Sequence, residues 1–183
     1  MCKDDDYKMT RNASGFALID LVFVCGIIGV LASISIPRLT TAKDAANAAS
    51  AIGSMRAINS GQLTFALTCA GGFYAPNLTT LGTAPAGSSE PFVGGGLGAA
   101  NTVTKAGYII QISATGYGGS PASCNGLAAG SGGQGFKGAA DPISSENPRF
   151  FATNADGLIY QSSSSLFTQM PETGKSPGGV SIH

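Results

Sequence analysis

Few residues in this chain are equipped for chemistry. His183 is the only histidine among 183 residues, so a Ser-His-Asp or Cys-His arrangement, or a histidine metal cluster, would rest on the last residue of the sequence. Thr173-Gly174-Lys175-Ser176 has the form of the end of a phosphate-binding loop, but Gln169 stands where that pattern needs its first glycine. Seven residues follow Ser176, too few for the helix that the pattern requires next. The stretch Gly130-Ser131-Gly132-Gly133-Gln134-Gly135 lacks a flanking strand and helix and reads as a loop. Asp141, Glu146 and Asp156 match no metal-ligand spacing and read as solvated acids. The expectation is no enzyme, no cofactor and no metal. One acid stands in an unusual setting: Asp20 is the single charge in the twenty-one residues Phe16 to Ile36, FALIDLVFVCGIIGVLASISI. A carboxylate near the end of an apolar helix costs on the order of 2–3 kcal/mol to place in lipid, less close to the interface. It therefore needs a partner or a task.

The element that must position Asp20 is a membrane helix. At about 1.5 Å rise per residue the run is roughly 30 Å long, the thickness of a hydrocarbon core. A secretory signal would have an apolar stretch of about 7–15 residues followed by a small-x-small cleavage site. This run is longer, and Ile36-Pro37-Arg38 follows it. Lys3, Lys8 and Arg11 precede the run, offset by Asp4, Asp5 and Asp6, and Arg38, Lys43 and Arg56 follow it. The balance of Lys and Arg on the two sides chooses no orientation.

The order of the pieces is more specific than their composition. A polar leader, residues 1–15, ends at Gly15; Phe16 follows at once, Asp20 lies five residues past the glycine and Pro37 twenty-two past it. This arrangement resembles the type IV pilin and type II secretion pseudopilin family, whose members carry a class III signal peptide. The resemblance implies that a prepilin peptidase cuts the Gly15–Phe16 bond on the cytoplasmic side and methylates the new amine of Phe16. It also places Asp20 at the position of the family's acid and Pro37 at that of a frequent helix-bending proline. The family almost always has glutamate where this chain has Asp20, so charge is kept and reach is one methylene shorter. In the family that carboxylate is taken to pair with the terminal ammonium of a neighbouring subunit, since an unpaired ion in an apolar core is far costlier than a pair. The partners implied are copies of the chain in a helical filament, the prepilin peptidase, an inner-membrane assembly platform and, before assembly, the lipid bilayer. The implied location is a single-pass inner-membrane protein that passes into an extracellular filament or a periplasmic pseudopilus. Some pseudopilins hold calcium near the region of Asp141, Glu146 and Asp156, but the spacing here supports no such site.

Past Pro37 the chain stays helical and becomes amphipathic. Leu39, Ala42, Ala45, Ala49, Ile52, Met55, Leu63 and Ala66 recur at three- and four-residue steps with polar residues between them. Gly71-Gly72 is the expected stop, giving a helix of about fifty-five residues, near 80 Å. The expected division is a leader over 1–15, a membrane or filament-core helix over 16–36, an amphipathic half over 37–70 and a head over 71–183. The head is long enough for one small core. Strands are expected at Gly107–Ala114, Arg149–Thr153 and Leu158–Gln161, with Asn154-Ala155-Asp156-Gly157 as hairpin chemistry because Asp-Gly readily takes positive φ. Gly94–Gly98 and Gly130–Gly138 read as loops. The fold class is therefore α+β, a long N-terminal helix packed on a small antiparallel sheet of three or four strands, which is also the pilin layout.

In that layout Cys2 falls in the leader, Cys25 in the membrane run, and Cys69 and Cys124 outside the membrane. That space is oxidising, and an even pair there tends to bridge; two unlinked thiols is the other reading. A bridge would close a loop of about fifty-five residues and stabilise by about 2–4 kcal/mol. Lys plus Arg and Asp plus Glu are ten each, and the leader holds three of each. A balanced charge indicates no nucleic-acid partner. The Ser162–Ser165 run and Asn77-Leu78-Thr79 could accept sugars, though both read first as plain loops. The functional expectation is a structural subunit of a type IV pilus-like filament. A pseudopilin of a type II secretion system shares the architecture, and a membrane-anchored binding domain that never polymerises is the reading outside it.

Overall fold

Alanine, isoleucine and leucine are the commonest residues from Leu18 to Thr68, and that stretch forms one helix. The computed structural model describes residues 18–144 and 148–182. Helix α1 spans Leu18–Thr68, and the chain divides into two units between Ala42 and Lys43. The second unit contains the end of α1, a short helix α2 (Leu78–Gly82), and strands β1 (Thr102–Lys105), β2 (Tyr108–Ser113), β3 (Lys137–Pro142), β4 (Phe150–Asn154), β5 (Ile159–Ser162) and β6 (Val180–Ile182). The fold is α+β, with the end of the long N-terminal helix packed on an antiparallel sheet.

The helical face that packs is written in its spacing. Ala48, Ala51, Met55, Ile58, Gln62 and Phe65 are buried at steps of three and four, so they line one side of α1. The stripe expected from sequence is only partly this one. Met55 and Ala66 are buried and Ile52 is half-buried, but Leu39, Ala42, Ala45, Ala49 and Leu63 are exposed. Alanine suits either face, so a helix this rich in it leaves the phase of its stripe to the tertiary partner. Past Thr68 the chain turns at Gly71 and Gly72, where φ is 59° and 97°, and the Gly72 amide donates back to Ala66 O at 2.8 Å. The expected glycine stop is there.

Among the described residues the sheet has six strands in chain order, every neighbouring pair antiparallel. Three of them correspond to the expected segments. The other three correct the expectation of three or four strands: β1 and β6 are short, and β3 is built largely from small residues with no β-branched side chain. Lys137 and Gly138, expected within a loop, belong to β3, where Gly138 lies between Ile112 and Thr153. A Cβ on Gly138 would come within 3.1 Å of Ile112 Cγ2, so this glycine admits close strand packing. On the helix-facing side, Tyr108, Ile110 and Ile112 of β2 join Ala140, Phe151 and Ile159 in one core with α1, α2 and Phe136. On the other face Ala139, Ala152 and Tyr160 lie under Leu166 and Met170 of the β5–β6 connection. Both faces of the central strands are thus covered.

The β1–β2 turn holds a local conflict. Lys105 pairs with Tyr108, leaving Ala106 and Gly107 as a two-residue loop with φ of 48° and 75°. Positive φ at both central positions marks the turn whose twist suits a hairpin. Gly107 adopts it freely, while the Cβ of Ala106 makes it costly. Replacing Ala106 with Gly should raise stability by up to about 1 kcal/mol, read as a higher urea midpoint at unchanged slope.

Candidate functional site

The first unit presents bare apolar surface. Leu18, Ile19, Leu21, Val22, Phe23, Val24, Ile27, Ile28, Val30, Leu31 and Ile36 are all exposed, and the helix is long and apolar enough to cross a membrane. Two of its hydroxyls are settled internally: Ser33 Oγ donates to Val30 O at 2.7 Å and Ser35 Oγ to Leu31 O at 2.9 Å. That is what a hydrocarbon surrounding demands of a hydroxyl. Asp20 sits exposed in the first turn of α1, and Cys25 is a free, exposed thiol in the same stretch. Pro37 lies within the helical span. Gly15 and Phe16, the expected cleavage and methylation positions, lie outside the described residues, as do Glu146 and His183.

In the second unit α1 also has an outward face. Ala46, Ala49, Gly53, Ala57, Ser60, Thr64 and Leu67 are exposed at three- and four-residue steps, opposite the buried face. An added Cβ at Gly53 would meet nothing within 4 Å. Small residues along such a face let another helix approach closely.

Side chains that the apolar pattern passed over hold the helix to the head. Gln62 is buried in the middle of the packed face. Its Nε2 donates to Ala75 O at 2.9 Å and its Oε1 accepts from the Ala75 amide at 2.8 Å. The side-chain amide thus closes a pair of hydrogen bonds with the backbone N–H and C=O of one residue, as a neighbouring strand would. Asn59 Nδ2 donates to Gly157 O at 3.1 Å, and its Oδ1 accepts from Thr153 Oγ1 at 2.9 Å. The signal in the sequence was a polar residue at Gln62 between Ile58 and Phe65, in step with the apolar positions. Beside Asn59 lies a cleft of about 370 Å³ edged by Leu63, Tyr74, Phe136 and Asp156.

Cys69 and Cys124 are joined in a disulfide, with Cα atoms 4.9 Å apart and a separation of 55 positions in sequence. The bridge ties the end of α1 to the 121–130 segment, where the Cys124 amide also donates to Cys69 O at 3.0 Å. The next residue, Asn125, reaches α2: its Nδ2 donates to Thr80 O at 2.7 Å and Thr83 O at 3.0 Å.

The acids that might have formed a cation site serve loops instead. Asp156 Oδ2 accepts from the Gly174 amide at 2.8 Å, and Asp141 Oδ2 accepts from Ser165 Oγ at 2.7 Å. Among the described residues no group of three or more histidine, cysteine or acidic side chains is gathered. Gly174-Lys175-Ser176 lies in the connection to β6, with a strand after it rather than a helix. No protein-family model, curated protein or solved structure matches this chain.

Asp141 is a perturbed acid. Its Oδ1 is buried with no hydrogen-bond partner among the described residues. Burial raises its pKa, against a lowering contribution from the Ser165 hydroxyl. The protonated form is therefore favoured by folding. This group's contribution to stability is complete below the ordinary aspartate range and is lost as pH rises through the raised value. The Asp141→Asn variant should lose that part of the pH dependence and be at least as stable near pH 7, measured as urea midpoints between about pH 4 and pH 7.

Proposed function

We propose that this chain is a structural subunit of a type IV pilus-like filament, processed at Gly15 and polymerised through its N-terminal helix. The observation that carries this reading is the division of labour along α1. Its beginning exposes apolar side chains with Asp20 as the single charge among residues 18–36, while its end binds a head on one face and leaves small residues on the other. A plain membrane anchor has no need of an uncovered small-residue face beyond the apolar run.

The mechanism follows from that division. Before assembly the apolar half resides in lipid; in a filament it transfers to a core of neighbouring helices. The gain from removing apolar surface from water is nearly the same in both surroundings, so close packing and polar pairing must select the filament register. Asp20 would pair with the terminal ammonium of Phe16 in an adjacent copy, removing two costly isolated charges together. Ala46, Ala49, Gly53 and Ala57 would allow the outer helices to approach. The Cys69–Cys124 bridge and the sheet hold the head at the end of α1, on the side away from that face. The chain would be a single-pass inner-membrane protein first and part of an extracellular filament afterwards.

Mass spectrometry of filaments sheared from cells tests the reading directly. The expected N-terminal peptide begins at methylated Phe16; a head found only in the membrane fraction with its leader intact would overturn the proposal. Asp20→Ala should still be cut at Gly15 but be lost from the filaments. Gly53→Leu should fold, with the disulfide formed, and be incorporated poorly. Normal assembly of both variants would remove the pairing and packing arguments.

A further inference from the structure

Asn125 and Gly126 form the only Asn-Gly pair in the sequence. Such a pair has its own chemistry, because a glycine amide carries no flanking Cβ to obstruct attack. The Gly126 nitrogen can bond to Asn125 Cγ as the Cγ–Nδ2 bond breaks and ammonia leaves. The resulting succinimide then takes up one water and opens to aspartate or isoaspartate. No cofactor or other protein is required.

The folded structure opposes every part of that step. Asn125 Nδ2 is held by Thr80 O and Thr83 O, and its Oδ1 accepts from Ser123 Oγ at 2.6 Å. The attacking amide is itself engaged, since Gly126 N donates to Ser123 O at 3.2 Å. For Cγ to swing over that nitrogen, the two bonds to the α2 carbonyls must open first.

What keeps them closed is the adjoining bridge. No residue from Pro121 to Gly130 is fully buried, and Cys124 is exposed. Leu127 is the segment's one partly buried apolar contact with the main core. Backbone bonds from Cys124 N to Cys69 O and from Ala86 N to Cys124 O depend on the position that the disulfide sets. An accessible disulfide is therefore the principal tether of a segment with little packing of its own.

We propose that the Cys69–Cys124 disulfide gates deamidation of Asn125. While bridged, the side-chain amide is locked against α2. A dithiol reductant passes two electrons and two protons to the bridge, giving two thiols, and is itself oxidised to a disulfide. The segment then loosens and the Asn-Gly step proceeds. The product carboxylate faces Thr80 O and Thr83 O with no proton to donate, so the contact with α2 is not restored when the cysteines are reoxidised. A transient reduction is thereby converted into a permanent change on this end of the head. The inference stands independently of the filament reading.

The test uses the full chain in detergent, oxidised or held reduced by a dithiol, incubated at mildly alkaline pH. Mass spectrometry follows aspartate and isoaspartate at position 125, with Asn101 as an internal reference. The reduced protein should convert at least roughly tenfold faster, as expected for an amide released by local opening. The C69S/C124S double variant should match the reduced rate without any reductant. Equal rates in the oxidised and reduced states, whether both fast or both slow, would overturn the proposal. Hydrogen exchange on the reduced wild-type chain distinguishes a gate from collapse. The amides of Cys124 and Leu127 should lose protection while those of Ile110 and Ile112 keep it, and loss at all four would also overturn the proposal.

Discussion

The head depends on the seating of Met55, Ile58 and Phe65 of α1 against Ile110, Phe136 and Phe151. This apolar contact sets the rotation of the helix about its axis, and burying such side chains is what a domain this small relies on for stability. Once that rotation is set, the opposite face is determined as well. Ala46, Gly53 and Ala57 are presented outward because Met55 and Ile58 are turned in.

Polar groups refine the seating. An apolar face alone tolerates small slides along the helix axis, since the contact is non-directional. Gln62 closing two hydrogen bonds with Ala75, and Asn59 bridging Gly157 and Thr153, do not tolerate them. A slide by one turn would leave buried donors and acceptors without partners, at a cost of about 1–3 kcal/mol for each group. The disulfide adds a covalent restraint at the end of the same helix. Three different kinds of interaction therefore specify one register over a short stretch of α1.

Some groups are less well accommodated. Ala106 occupies a conformation suited to glycine, and Asp141 keeps one carboxylate oxygen buried without a partner. Both belong to the β1–β3 part of the sheet, away from the outward face of α1. The 121–130 segment differs again, held by a bridge and a few hydrogen bonds with little packing.

By itself the sequence determined the long apolar helix with its lone Asp20, the glycine stop at Gly71 and Gly72, and the strands around Ile110, Phe151 and Tyr160. These are local properties: a continuous apolar run, a residue that accepts positive φ, and alternation in residues with strong strand preference. Tertiary structure decided the phase of the helix, because alanines at positions 45, 46, 48 and 49 carry no preference for inside or outside. It also recruited β3, whose small residues become a strand by pairing with neighbours rather than through their own propensity, and it fixed β1 and β6, whose four and three residues are too short a run to stand out in sequence. The placing of Asn125 against α2 belongs to the same class, since it needs Thr80 and Thr83 brought to a residue more than forty positions later. Local chemistry wrote the elements, and long-range contact chose their faces, because burial is a relation between segments that no single segment contains.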